Sequence, residues 1–317
     1  VLDLDRQIAL KKLVCPQTRV PLTHEGSNLR TVDGEHVYSI VHGVPVLLAD
    51  PSQVAADLGA QDGAMVREYE ASPPGRLRGL YRLLVAAPGD QRTRGSHRAF
   101  DALFDGLPDE ALCLSIGGGP RRIRPELVNL NIAAFPNVDV VADACQLPYA
   151  DGAVDLVHCE AVLEHVEYPE RAAEEIFRVL RVGGRAFIAT PFLQPYHGYP
   201  DHFQNFTLTG HRRLFERAGF RVREAGTCVG PTFALRDLSL NFVRNILPGG
   251  VVGRWLSRLA ALATAPLLYL DRIAGERAGS STLASSTYLL LERDEAAATG
   301  ARTGSSPSRR RPPDALS

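Results

Sequence analysis

Between Leu112 and Asp155 the chain repeats one pattern, a short apolar run broken by glycine, asparagine or aspartate. Leu112-Cys-Leu-Ser-Ile runs into Gly117-Gly-Gly-Pro120. Val128-Asn-Leu-Asn131 follows, then an apolar run closing on Asp143-Ala144, and Leu147-Pro-Tyr-Ala-Asp-Gly-Ala-Val-Asp155 opens the next. Short apolar runs bounded by turn residues form buried strands, and strands alternating with helical patterns line up in parallel. Such a sheet offers a ligand crevice outside the carboxyl ends of its strands. The glycines, Asn131 and Asp143 fall at those ends and outline a pocket the size of a nucleoside.

The alternation continues to the end of the ordered pattern. Strands are predicted at 111–116, 127–131, 138–142, 154–159, 185–190, 220–228 and 286–292, giving an α/β fold: a seven-stranded sheet with helices on both faces. The clearest helix lies between the fourth and fifth strands. Pro169 suits its first turn, Ala172, Ala173, Ile176, Val179 and Leu180 recur at helical spacing, and Gly183-Gly184 is read as its end. Residues 53–110, broken by Pro73-Pro74, Pro88-Gly89 and Gly95, read as a helical linker, and 111–294 as the main domain. Within it, 231–281 is an apolar helical insertion. It suits a lid or homodimer surface, or a peripheral membrane contact through 251–274, where Trp255, Arg258 and Arg272 flank the apolar run. From 295 to 317, Gly, Ser, Pro and Arg309-Arg-Arg311 predict a disordered tail.

With 317 residues the chain can bury a sizeable core. Its formal net charge of −1 supplies no field for polyanions, so nucleic acid is not expected as a partner. Five scattered cysteines suit reduced thiols and a cytoplasmic setting, and no signal peptide pattern opens the sequence. The run Leu259 to Leu270 is about half the roughly 20 residues a membrane span needs, and Pro266 interrupts it.

Residues 1–52 read as a small β-rich module with Gly34 and Gly43 as turn residues. Leu13-Val-Cys15-Pro16-Gln17-Thr18 and Tyr38-Ser-Ile-Val-His-Gly43-Val-Pro45-Val-Leu-Leu48 resemble the Trm112-like zinc-ribbon family. Thr18 stands where the second zinc thiolate belongs, and Cys15 with His24, His36 or His42 would make an irregular set, so no metal is expected.

For the main domain two cofactor classes compete. A dinucleotide site needs GxGxxG and an acid closing the second strand, and Arg122 and Asn131 break both requirements. The order of phrases resembles instead the class I S-adenosylmethionine-dependent methyltransferases of the type 11 group, whose sheet is Rossmann-like. Carrying the resemblance over residues 111–230 are Ser115-Ile-Gly117-Gly118-Gly119, Asn129-Leu-Asn131, Asp143-Ala144, Leu147-Pro-Tyr149, Asp151 to Asp155, Val162-Leu-Glu-His165 and Arg178 to Gly184. It implies S-adenosyl-L-methionine as cofactor. Ser115 and Gly117–Gly119 would lie on its methionine side, Asn131 at the ribose, Asp143 and Ala144 at the adenine, and Cys159 and Glu160 beside the transferable methyl. Ser115 and Asn131 replace the usual acids, and neutral hydrogen bonds are weaker than charge-assisted ones.

Methyl transfer from a sulfonium asks the protein for alignment, exclusion of water and, for a poor nucleophile, removal of a proton. The stretch Thr190 to Phe206 holds five aromatics, two histidines and an aspartate. His197 or His202 is the candidate general base. Phe192, Tyr196, Tyr199, Asp201 and His165 are candidate acceptor contacts. The expected activity is methylation of a hydroxyl, or an amine, on a small-molecule or glycan-type acceptor. The alternatives are a catalytically silent cofactor-binding scaffold and a membrane-peripheral methyltransferase of lipid-linked substrates.

Overall fold

The computed structural model describes residues 2–49, 91–120, 122–198, 201–247 and 250–294. The predicted linker up to residue 90, the predicted tail and Tyr199 lie outside them.

After a short helix α1 (Leu4–Ala9) come four strands, β1 (Leu22–Glu25), β2 (Asn28–Thr31), β3 (Val37–Val41) and β4 (Val44–Leu47), paired as an antiparallel meander. Helix α2 (Arg94–Ala102) starts on Thr93, whose Oγ1 accepts from Ser96 N and donates to Thr227 O. Strands β5 (Cys113–Ile116), β6 (Leu127–Asn131), β7 (Val140–Ala142) and β8 (Val154–Glu160) then lead to α3 (Pro169–Val179) and β9 (Leu180–Pro191). Helix α4 (Leu208–Arg217), capped by Thr207, and β10 (Arg221–Val229) precede α5 (Pro231–Ile246), α6 (Gly250–Ala263) and α7 (Leu267–Ala274), and β11 (Ser286–Glu292) closes the fold.

A strand forms at each of the seven predicted places, but the sheet has eleven strands, not seven, in the order β1-β2-β3-β4-β7-β6-β5-β8-β9-β11-β10. The extra four belong to the amino-terminal meander, which joins because β4 pairs in parallel with β7, Val46 opposite Val141 and Leu47 opposite Ala142. Backbone bonds from Val14 N to Pro148 O and from Ala150 N to Lys12 O add a second seam. Leu13, Cys15, Leu22, Leu29, Tyr38 and Leu47 accordingly share one core with Leu114, Leu147, Tyr149 and Ile188. The opposite face of the sheet packs Phe100 and Leu103 of the α2 region on Cys113, Leu156, Phe187 and Tyr288.

One boundary differs from the reading of the sequence. Helix α3 ends at Val179, ahead of the glycine pair, and β9 runs straight through Gly183-Gly184. Leu180 already has extended backbone and pairs with Val154, so sheet hydrogen bonds, not the glycines, stop the helix. The insertion is helical, as expected, and its outward faces expose Leu235, Phe242, Ile246, Trp255, Leu259 and Ile273. No helix among the described residues is long and apolar enough to cross a membrane.

Candidate functional site

Five of the parallel strands, β7-β6-β5-β8-β9, reverse their order of addition at β5, and all end at one edge. That edge is where an open α/β sheet binds ligands. The glycine loop leaves β5 there. Gly117 needs φ +69° and donates its N–H to Leu130 O at 2.8 Å; a Cβ on it would run into the Val162 side chain. A Cβ on Gly118 would collide with Asn129 Oδ1. Gly119, with φ +59°, has open space where its Cβ would stand. Two glycines therefore press the loop onto the protein, and the third faces outward.

Asn129 secures that loop, because its Nδ2 donates to Gly119 O and Asn137 O, both at 3.0 Å, while its buried Oδ1 has no partner among the described residues. Arg122 braces the same turn through two 2.9 Å bonds to Asp139, whose Oδ2 accepts from Asn129 N. Asn131 is buried, and its Oδ1 accepts from Ala133 N at 3.2 Å. Asp143 accepts from Cys145 N at 2.8 Å, and Ala144 beside it is buried. Burial, and then the Asp143 charge, push the Cys145 thiol up to about 12.

Ser115 and His158 sit opposite each other on β5 and β8, with Oγ and Nδ1 3.3 Å apart. The row continues from His158 Nε2 to Glu160 Oε2 at 3.4 Å and from Glu160 to Arg92 at 3.0 Å. Burial of Glu160 opposes its ionisation, but the His158 contact and the Arg92 charge outweigh it and hold the carboxyl below its ordinary range. Ser115 thus supports the loop from within the sheet. Cys159 points into the core, where burial pushes its thiol up.

Past β8, Ala161 takes φ +55°, an uncommon conformation for a residue with a Cβ, and Val162 leads into a single 3-10 turn, Leu163–His165. The loop after β9 closes over this turn: Phe203 N donates to Glu164 O at 2.8 Å and Gln204 Nε2 to Val166 O at 3.2 Å. It brings three imidazoles together, His165 and His197 at 5.2 Å between ring centroids and His197 and His202 at 4.4 Å. Both His202 nitrogens are engaged, Nδ1 accepting from His197 N and Nε2 donating to Asn205 Oδ1. The exposed Tyr196 ring stacks on His202, and Asp201 contributes its backbone carbonyl to His165 Nδ1. Phe192 lies at the loop's start, held by its N–H to Ser285 O.

Beneath the imidazoles lies Glu164, fully buried, with His165 Nε2 at 3.8 Å and His197 Nε2 at 3.9 Å. The Glu164 carboxylate raises the His197 imidazole above its ordinary value against the opposing effect of burial. Asp237 on α5 interacts electrostatically with the same ring, so the insertion reaches this edge; burial holds its carboxyl above the usual range. Glu164, Asp237 and His158 were not singled out in the sequence, and Arg92 reads there as one of a run of surface arginines. Only Glu164 gave a signal there, as the acid of the Leu-Glu-His phrase.

Residues 123–188, from just before β6 into β9, match the family profile of a methyltransferase domain. Among curated relatives, an uncharacterized methyltransferase of Mycolicibacterium gilvum is 40% identical over 88 residues, covering 26% of this chain and 34% of that protein. An uncharacterized chloroplastic methyltransferase of Arabidopsis thaliana is 46% identical over 92 residues, 28% of this chain and 25% of the relative. One from Mycobacterium sp. (strain KMS) is 30% identical over 149 residues, 41% and 56%. The chain thus spans between a quarter and just over half the length of these relatives. Among solved structures, a SAM-dependent methyltransferase from Thermotoga maritima is similar over 73% of this chain and 97% of that one, at 18% identity and a TM-score of 0.42. Phosphoethanolamine N-methyltransferase 2 of Haemonchus contortus in complex with S-adenosyl-L-methionine covers 68% and 56%, at 11% identity and a TM-score of 0.39. Likenesses this distant carry no function across. The segment that matches the methyltransferase-domain profile includes the strands whose ends carry Asn131, Asp143 and Glu160.

Proposed function

We propose that the chain is an S-adenosylmethionine-dependent methyltransferase that acts on a hydroxyl, or an amine, of a small-molecule or glycan-type acceptor. The observation that carries this reading is the methyltransferase-domain match on strands whose carboxyl ends also hold a glycine loop open at Gly119. The residues present fit the cofactor. Gly119 leaves open space on the loop, and Asp143 keeps lone pairs beyond the one given to Cys145 N.

When bound, S-adenosylmethionine supplies a methyl group already activated on a sulfonium. The rest falls to the chain. Asp143 would accept from the adenine amino group, and Asn131 would offer its neutral amide at the ribose. The loop after β9 excludes water above Glu160 and receives the acceptor near Phe192 and Tyr196. A hydroxyl acceptor must also lose a proton, which the cluster of Glu164, His165 and His197 supports. Of the two candidate bases, His202 has both nitrogens occupied, whereas His197 turns Nε2 toward Glu164.

Thermal unfolding with S-adenosylhomocysteine tests the reading. Saturating ligand is expected to raise the melting temperature by preferential binding to the folded chain, and Asp143→Ala to reduce that rise. No shift in the unaltered protein would count against the pocket, and an undiminished shift in Asp143→Ala would misplace the adenine edge.

A further inference from the structure

We propose that Glu164, His165 and His197 form a binding site for a divalent transition-metal ion, a role that the sequence did not suggest. The Glu164 side chain is 0% exposed, and neither carboxylate oxygen has a hydrogen-bond partner among the described residues. A buried carboxylate without partners is strongly disfavoured and persists where a cation or a metal completes it. The groups facing it are the Nε2 atoms of His165 and His197, at 3.8 and 3.9 Å. A charge-assisted hydrogen bond closes to about 2.7–2.9 Å, so neither contact is one. A proton shared between Glu164 and an imidazole would draw the pair together, and the separation argues instead for a third body.

Both rings are oriented as metal ligands are. His165 Nδ1 donates to Asp201 O at 2.6 Å and His197 Nδ1 to Pro195 O at 3.0 Å, so that, once a metal displaces the second proton, each ring turns its Nε2 lone pair toward Glu164. Backbone carbonyls fixing the far nitrogen are a recurring outer support of ligating histidines. One ligand atom from each of the three residues falls within 4.8 Å of the other two. Ligands about 2.1 Å from a tetrahedral zinc stand roughly 3.4 Å apart, so each Glu164–imidazole separation needs to tighten by about half an ångström, and the two imidazole nitrogens close in from within 4.8 Å. Two adjacent residues on the 3-10 turn and one on the overlying loop supply the three ligands, and His197 is exposed, which leaves the remaining coordination positions on the solvent side. Imidazole and carboxylate together select zinc, iron, manganese or cobalt over magnesium or calcium. His202 is excluded as a ligand because both its nitrogens are engaged; by accepting from His197 N it positions that residue.

Binding of the ion does not rest on methyl transfer and takes the Nε2 that His197 would otherwise use as a base; its test reads uptake and coordination, not turnover. The full chain, stripped with a chelator and dialysed, is titrated with Co²⁺, whose visible absorption reports its ligands, and with Zn²⁺ by calorimetry. One equivalent is expected, with affinity reduced at least about tenfold in His197→Ala and in the near-isosteric Glu164→Gln. His197 lies on an exposed loop, so its replacement leaves the core intact, and circular dichroism checks that Glu164→Gln stays folded. Failure to take up either ion overturns the proposal, as does uptake that both variants retain. Uptake lost only in Cys15→Ser would place the metal in the amino-terminal meander and overturn it as well.

Discussion

Arg178 organises the segment between β7 and β8 through its side chain alone. Its guanidinium forks onto Glu175 with two 2.7 Å bonds and reaches Asp151 Oδ1, Tyr149 O and Leu147 O, at 2.7, 2.7 and 2.9 Å. Glu175 in turn accepts from Leu147 N and from Arg19, so one side chain ties α3, the segment after β7 and the amino-terminal meander together. Its side chain is only 11% exposed, and breaking a buried network from one side costs about 3–5 kcal/mol because the other charges stay behind unpaired. Arg178→Ala is expected to lower stability in urea by that order, with Arg178→Lys recovering only part, since an ammonium cannot reproduce the fork. A loss under about 1 kcal/mol, the value of a surface pair, would show the network to be solvated. Asp155 has the same character: its carboxylate accepts from Leu112 N and from Arg181, a structural post for β5 and β8.

At the scale of an element, α4 shows how burial sets a pH dependence. His211 on this helix is fully buried among Phe206 and Phe215, bonded through Nδ1 to Thr287 Oγ1 at 3.1 Å, and its Nε2 has no partner among the described residues. Burial pushes its imidazole down to about 3 from an ordinary 6.5. Between those values the unfolded chain binds a proton that the folded chain does not. The stability it contributes is therefore complete above pH 6.5 and is lost as the pH falls toward 3. From pH 7.5 to 5.0 this group alone accounts for a loss of about 2 kcal/mol. Urea unfolding at the two pH values is expected to show His211→Phe spared that part of the loss; equal losses in both proteins would remove His211 as the cause. None of this was legible beforehand, because a histidine among charged neighbours on an amphipathic helix reads as a surface residue until Thr287 of a strand 76 positions away is placed against it. The elements themselves were legible. Apolar runs of strand length marked β5 to β11, and Pro169 at the first turn of α3 marked its start. The end of α3 was not, since pairing of Leu180 with Val154 overrides the glycine signal.

For the whole molecule, the amino-terminal meander is part of the fold and no appendage to it. Its β4 completes the β7 edge, and its Leu13 and Val46 help cover Tyr149 and Val141, both 0% exposed. Uncovering side chains of this size forfeits about 1.5–3 kcal/mol each, so losing a few of them approaches the 5–15 kcal/mol that holds a typical domain together. Deleting residues 1–49 is expected to give a chain that aggregates or melts well below the full-length protein; a soluble truncation with an unchanged melting temperature would show the seam to be dispensable. What the sequence by itself determined is local: strand periodicity, the glycine turn, and the places where Asn131 and Asp143 end their strands. Such signals are written in neighbouring residues and survive without knowledge of the partner. Tertiary structure alone decided that the meander extends the sheet to eleven strands, that Ser115 faces His158, and that His197 returns over the buried carboxylate of Glu164. Each joins residues far apart along the chain, and only packing selects those contacts from the many that composition and spacing allow.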